Sequence, residues 1–110
     1  MQEKIKQQIE GFISKTKEHK IDWITVNAKA YRFGKTVDNR TFTVTVQEHA
    51  TTPINYILTV QITNPNEVLL QIQTHQEQDY RELVKALYDG VIEANKGQNI
   101  REIDKLLDSI

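Results

Sequence analysis

The chain has 110 residues, 38% hydrophobic and 26% charged, with a formal net charge of −1 and no cysteine. That length and balance suit one α+β domain over residues 1–110 with its own core, and the missing cysteines exclude disulfides, thiolate catalysis and cysteine-based zinc sites. Charge is uneven, with nine Lys/Arg against five Asp/Glu in residues 1–40 and five against ten in residues 41–110, a two-signed surface rather than the overall basic field of a dedicated nucleic-acid binder.

The first segment, MQEKIKQQIEGF, lacks the apolar core of a signal peptide, and no apolar run is long enough to cross a bilayer. A cytoplasmic location without membrane attachment is the resulting expectation, in keeping with the absence of cysteine. Ile5, Ile9, Phe12 and Ile13 fall on one stripe at helical spacing, so the chain opens with an amphipathic helix.

Beyond SKTKEHK the period becomes two. Ile24, Val26, Ala28 and Ala30 alternate with polar residues, and then the parity flips to Tyr31 and Phe33, the mark of a bulge or a strand end. Asp38-Asn39 marks a turn. TFTVTV sets Phe42, Val44 and Val46 on one face and Thr41, Thr43 and Thr45 on the other. Residues 54–63 and 67–74 alternate in the same way on either side of the turn signal Asn64-Pro65-Asn66, which reads as a hairpin.

The last third is helical. Tyr80, Leu83, Val84, Leu87, Val91 and Ile92 share a stripe, Asn95-Lys96-Gly97 reads as a stop, and Ile100, Ile103, Leu107 and Ile110 predict a second helix. The expected fold is a four-stranded, mainly antiparallel meander with an N-terminal helix and two C-terminal helices packed on one face. Its core should comprise Ile5, Ile9, Phe12, Ile24, Val26, Phe42, Val44, Val46, Tyr56, Leu58, Val60, Leu70, Ile72, Leu83, Leu87 and Val91.

The most site-like stretch is QIQTHQEQDY, residues 71–80. His75 and Asp79 stand four apart with Glu77 between them, but the local sequence supplies too few ligands for a metal. Thr74 and Glu77 fit a capping box, and Glu77, Asp79 and Glu82 suit the start of a helix. That acidity also argues against a phosphate grip there. His49 or His75 would need distant acids to form a catalytic pocket. No glycine-rich phosphate loop or nucleophile elbow is present, so no catalytic residue, metal or cofactor is expected.

Two binding surfaces follow. The second face of the sheet, with Thr43, Thr45, Ile57, Thr59, Gln61, Leu69 and Gln71, offers a broad semi-polar surface to a protein partner or to a second copy of the chain. The expected function is accordingly a non-enzymatic protein-interaction module, an inhibitor or regulator by analogy of size and style alone. The alternative is a nucleic-acid surface in KAYRFGK and beyond, where Lys29, Tyr31, Arg32, Phe33, Lys35 and Arg40 interleave cations with aromatic rings.

Overall fold

Residues 2–110 are described by a computed structural model. The opening stripe forms α1 (Glu3–Lys17), with Ile9 fully buried and Ile5, Phe12 and Ile13 packed beside it. The helix ends without glycine. His19 takes the left-handed conformation (φ 58°), the His19 amide donates to the Thr16 carbonyl, and the Lys20 amide donates to the Lys15 carbonyl. This is the Schellman pattern, built on one of the residue types that tolerate positive φ. Thr16 then anchors the following loop. The hydroxyl of Thr16 donates to the Phe12 carbonyl (2.7 Å) and accepts from the Trp23 indole (3.1 Å), with both side chains buried.

The alternating region forms five strands: β1 (Ile24–Asn27), β2 (Ala30–Val37), β3 (Arg40–His49), β4 (Asn55–Ile62) and β5 (Glu67–Gln73). They lie in the order β1-β2-β3-β4-β5, and every pair is antiparallel. The fold is α+β as expected, with five strands instead of four. The parity flip near Ala30 is the far side of a tight hairpin: Asn27 Oδ1 accepts from the Lys29 amide at 2.8 Å and turns the chain. Ile24 and Val26 consequently lie on an edge strand, 60% and 48% exposed, and do not join the core. Between β2 and β3, Asp38 and Asn39 both take positive φ, as a two-residue hairpin of the primed type demands.

The C-terminal third also departs from expectation. A 3-10 turn (Gln78–Tyr80) leads into one helix, α2 (Arg81–Asp108), whose 28 residues run through Gly97. Gly97 keeps negative φ and ordinary helical backbone, and a mid-helix glycine costs only about 1 kcal/mol against alanine. The Thr74–Glu77 capping box does not form, because the helix begins at Arg81 and neither helical start carries a side-chain cap.

Both helices lie on one face of the sheet. Val44, Val46, Tyr56, Leu58 and Ile72 from that face join Ile9 of α1, Trp23, Tyr80, and Val84, Leu87, Tyr88 and Val91 of α2 in one buried cluster. Aromatic rings fill its β1–β2 end. Phe33 meets Trp23 edge-on at 4.7 Å and Phe12 at 6.2 Å, while Tyr88 contacts Tyr31 and Tyr56 at 5.9 and 5.7 Å.

Burial pushes the Tyr88 phenol from 10.0 up to about 12, and Glu48, Tyr31, Tyr56 and Asp89 push in the same direction. The unfolded chain would ionise this group first, so its contribution is complete below pH 10 and is lost as pH rises towards 12. Urea midpoints measured between pH 9 and 12 should therefore fall less steeply for Tyr88→Phe than for wild type. Parallel curves would rule out this assignment.

Candidate functional site

The helices pack on one face of the sheet, and the opposite face carries no helix, although Ala30, Ile57 and Thr59 at its middle are buried among neighbouring side chains. Pairing across the strands sets Ile24, Arg32, Thr45, Thr59 and Gln71 in one row that crosses all five strands. A second row runs Gly34, Thr43, Gln61 and Val68, and a third runs Ala30, Gln47, Ile57 and Gln73. None of these residues belongs to the buried cluster beneath the helices.

The strand alternation that builds the core thus also builds this face, with Thr, Gln and Ile at every second position. Thr43, Thr45, Ile57, Thr59, Gln61 and Gln71 all lie on it. Leu69 does not. The ladder shifts register between Val60↔Leu70 and Gln61↔Val68, leaving Leu69 as the extra residue of a bulge. Leu69 lines a groove on the helix side with Ile5, Gln8, Phe12, Phe42, Val60 and Leu70, and Val68 takes the place beside Gln61.

The chemistry of the three rows is uniform. Among the described residues they hold a single charge, Arg32; the rest are hydroxyls, amides and apolar side chains. The Gln71 amide donates to the Thr59 hydroxyl at 3.4 Å. Ile57 is only 6% exposed, so the middle of the face is already closely covered by neighbouring side chains. Nothing in these rows can activate a hydroxyl as a nucleophile, since no base stands beside Thr45 or Thr59. The rows can form hydrogen bonds and flat apolar contacts.

The basic and aromatic stretch divides between the two faces. Tyr31 and Phe33 turn towards the helices and pack against the core, whereas Arg32 turns to the opposite face. Lys29, Lys35 and Arg40 are exposed. The two rings are engaged with Trp23, Phe12 and Tyr88, which removes the stacking members of a nucleic-acid platform from this stretch.

QIQTHQEQDY joins two loops. The buried Thr74 hydroxyl accepts from the Tyr56 amide at 2.9 Å, and Asn55 Oδ1 accepts from the His75 amide at 3.1 Å. His75 Nε2 lies 2.9 Å from the Pro53 carbonyl and 3.1 Å from the Thr51 hydroxyl. A carbonyl only accepts, so Nε2 carries the proton and the ring ties residues 51–53 to residues 74–75. Arg81 extends the tie, donating to the Ile54 carbonyl with its guanidinium 5.4 Å from the Tyr56 ring centre. Partners 18 to 27 residues away leave no local signal of this arrangement in the sequence. His49 is exposed at the end of β3 and does not meet His75 in any hydrogen bond. Among the described residues no three His, Asp or Glu side chains gather as a metal site would require.

Fold and surface together define a class: a small α+β protein with a five-stranded antiparallel meander, two helices on one face and a nearly uncharged polar face on the other. No known protein family, curated protein or solved structure matches the chain.

Proposed function

We propose that this chain is a protein-interaction module without enzymatic activity, acting as an inhibitor or regulator of a larger protein through the uncovered sheet face. One observation carries this reading. Both helices occupy the same side, and the other side presents three rows from Ile24 to Gln71 with Arg32 as their one charge among the described residues. A flat surface of threonine and glutamine binds through many weak hydrogen bonds and shape, as an interface does, and lacks the enclosed, convergent polar groups of a small-molecule site. Monomeric surfaces more often carry charges of both signs, which keep such faces apart.

The test is capture of binding proteins from nuclease-treated native lysate by wild type and by Thr45→Arg/Gln61→Arg/Gln71→Arg. These three positions lie outside the core, so the triple variant should melt within a few degrees of wild type. The expected outcome is a protein partner recovered by wild type and lost with the variant. Equal recovery by both, or recovery of nucleic acid alone before nuclease treatment, would reject the reading.

A further inference from the structure

The two helices leave a concave apolar surface on their own side of the sheet. α2 crosses the strands near Tyr56 and Tyr31 and reaches β1 where Asn95 donates to Thr25. α1 meets the strands through Phe12, whose ring contacts Phe33. No third helix follows among the described residues to cover the ends of β3, β4 and β5 that hold Phe42, Val60 and Leu70. A groove of about 370 Å³ results. Ile5, Gln8 and Phe12 form its α1 wall, and the half-buried Phe42, Val60 and Leu70 form its floor. The bulge in β5 adds Leu69, 48% exposed, at the outer end.

The charges around this groove are of one sign at one end. At about 100° per residue, Lys4 and Lys15 lie about 50–75° from the centre of the α1 wall, on its solvent side, whereas Glu3 and Glu10 lie about 170° away. Glu10 is engaged there with Lys6 at 4.0 Å. On the sheet, Lys35 stands directly opposite Phe42 and two residues beyond Phe33. Lys15 follows Phe12 by one helical turn, and the Phe12 and Phe33 rings touch, so Lys15 and Lys35 both border the Phe12–Phe42 end. Among the described residues Lys4, Lys15 and Lys35 have no ion-pair partner. The acid in the same row, Glu67, stands three strands from Lys35, at the β5 side.

We infer that this groove binds a free fatty acid, its unbranched tail lying from Leu69 to Phe42 and its carboxylate between Lys15 and Lys35. The site is on the helix side and separate from the uncovered sheet face. Three features select this ligand. First, the lining fits a tail: six of its seven residues are apolar, and Gln8 is the one polar group, the composition of a small-molecule site. Second, the size fits. A methylene takes about the volume of a water molecule, ~30 Å³, so the groove holds a tail of about ten to twelve carbons. Seven lining residues are too few for a protein partner, which engages about 20–30 residues on each side, and a flat bilayer does not enter a concave surface. Third, the unpaired lysines at one end match a single anionic head, and the uncharged remainder of the lining matches a ligand with no second charge.

Titration of the whole chain with decanoate, kept below its micelle-forming concentration at pH 7 and followed by calorimetry and methyl NMR, tests the site. Wild type should bind one decanoate with half-saturation below about 1 mM, and the Ile5, Val60, Leu69 and Leu70 methyl signals should shift. From hexanoate to decanoate each added methylene should tighten binding about two- to fourfold, with a plateau beyond about twelve carbons when the groove is full. Lys15→Glu/Lys35→Glu, both exposed, should weaken decanoate at least about fivefold and leave the neutral analogue decanol within about twofold. Leu69→Glu should lose decanoate with an unchanged urea midpoint, since Leu69 is half exposed. A wild-type chain that takes up no decanoate at about 1 mM would overturn the inference. Binding to phosphatidylglycerol vesicles without binding of monomeric decanoate would overturn it too and make the groove a membrane contact. Decanoate binding that survives Leu69→Glu would place the ligand elsewhere, and binding that survives Lys15→Glu/Lys35→Glu would overturn the position of its carboxylate.

Discussion

Leu58→Asp is expected to abolish cooperative unfolding. Leu58 is completely buried at the centre of the helix-covered face, opposite Val46 on β3 and Ile72 on β5, both themselves buried. Removing such a leucine side chain alone costs about 2–5 kcal/mol. The aspartate would also bring a carboxylate into a site lined by apolar side chains, where it must be neutralised or left without partners. A domain of this size has a total stability of about 5–15 kcal/mol, so the combined penalty approaches the whole. Leu87→Asp, on the facing surface of α2 and equally buried, should behave in the same way. Gln61→Asp is the control: it lies three residues along the same strand, exposed on the opposite face, and should change stability by no more than about 0.5 kcal/mol. Near-ultraviolet circular dichroism of Trp23 and urea titration read the outcome. A sharp transition near the wild-type midpoint in Leu58→Asp would show that β4 does not face the helices.

That contrast rests on alternation, and alternation was the most legible property of this sequence. In TFTVTV it separates the buried residues from the opposite face, because the side-chain period of a strand is two whatever the tertiary context; in residues 55–62 it assigns the two faces correctly, but Asn55, Ile57 and Thr59 opposite the helices are buried too. It does not find the ends of strands where the turn chemistry is quiet. Ala28 and Lys29 continue the apolar–polar rhythm of β1, so nothing in that rhythm announces the hairpin. The signal was Asn27, whose side chain accepts from the Lys29 amide. Leu69 shows the same limit on the candidate surface, since a bulge adds one residue to one strand and moves its side chain across the sheet without altering local composition. Gly97 shows the reverse case. It resembles a helix stop, yet a cost of about 1 kcal/mol is too small to end a helix that the chain otherwise continues. The stripe from Ile100 to Ile110 was visible as helical periodicity, but that it faces solvent depends on where α2 leaves the sheet, a property of the whole fold.

Thr74→Ala should lower stability by about 1–3 kcal/mol, for a reason different from the one its sequence suggests. A capping box would make Thr74 and Glu77 equal partners at the start of a helix. In the fold Thr74 is instead buried beyond the end of β5, where its hydroxyl takes the Tyr56 amide while the Thr74 amide donates to the Tyr56 carbonyl at 3.0 Å. Alanine leaves the Tyr56 amide without this acceptor inside the protein. Valine fills the space but supplies no oxygen, so Thr74→Val should cost nearly as much, whereas Thr74→Ser should recover most of the loss. Glu77→Ala separates the two explanations: it would cost as much as Thr74→Ala in a capping box, and it should be close to neutral here, since Glu77 is exposed and neither helical start uses a side-chain cap. His75→Ala removes the exposed contacts to Pro53 and Thr51 and should cost less than Thr74→Ala. Urea midpoints at constant slope measure all five variants. Equal losses in Thr74→Ala and Glu77→Ala would restore the cap, and a larger loss in His75→Ala than in Thr74→Ala would move the main connection between the loops to the imidazole.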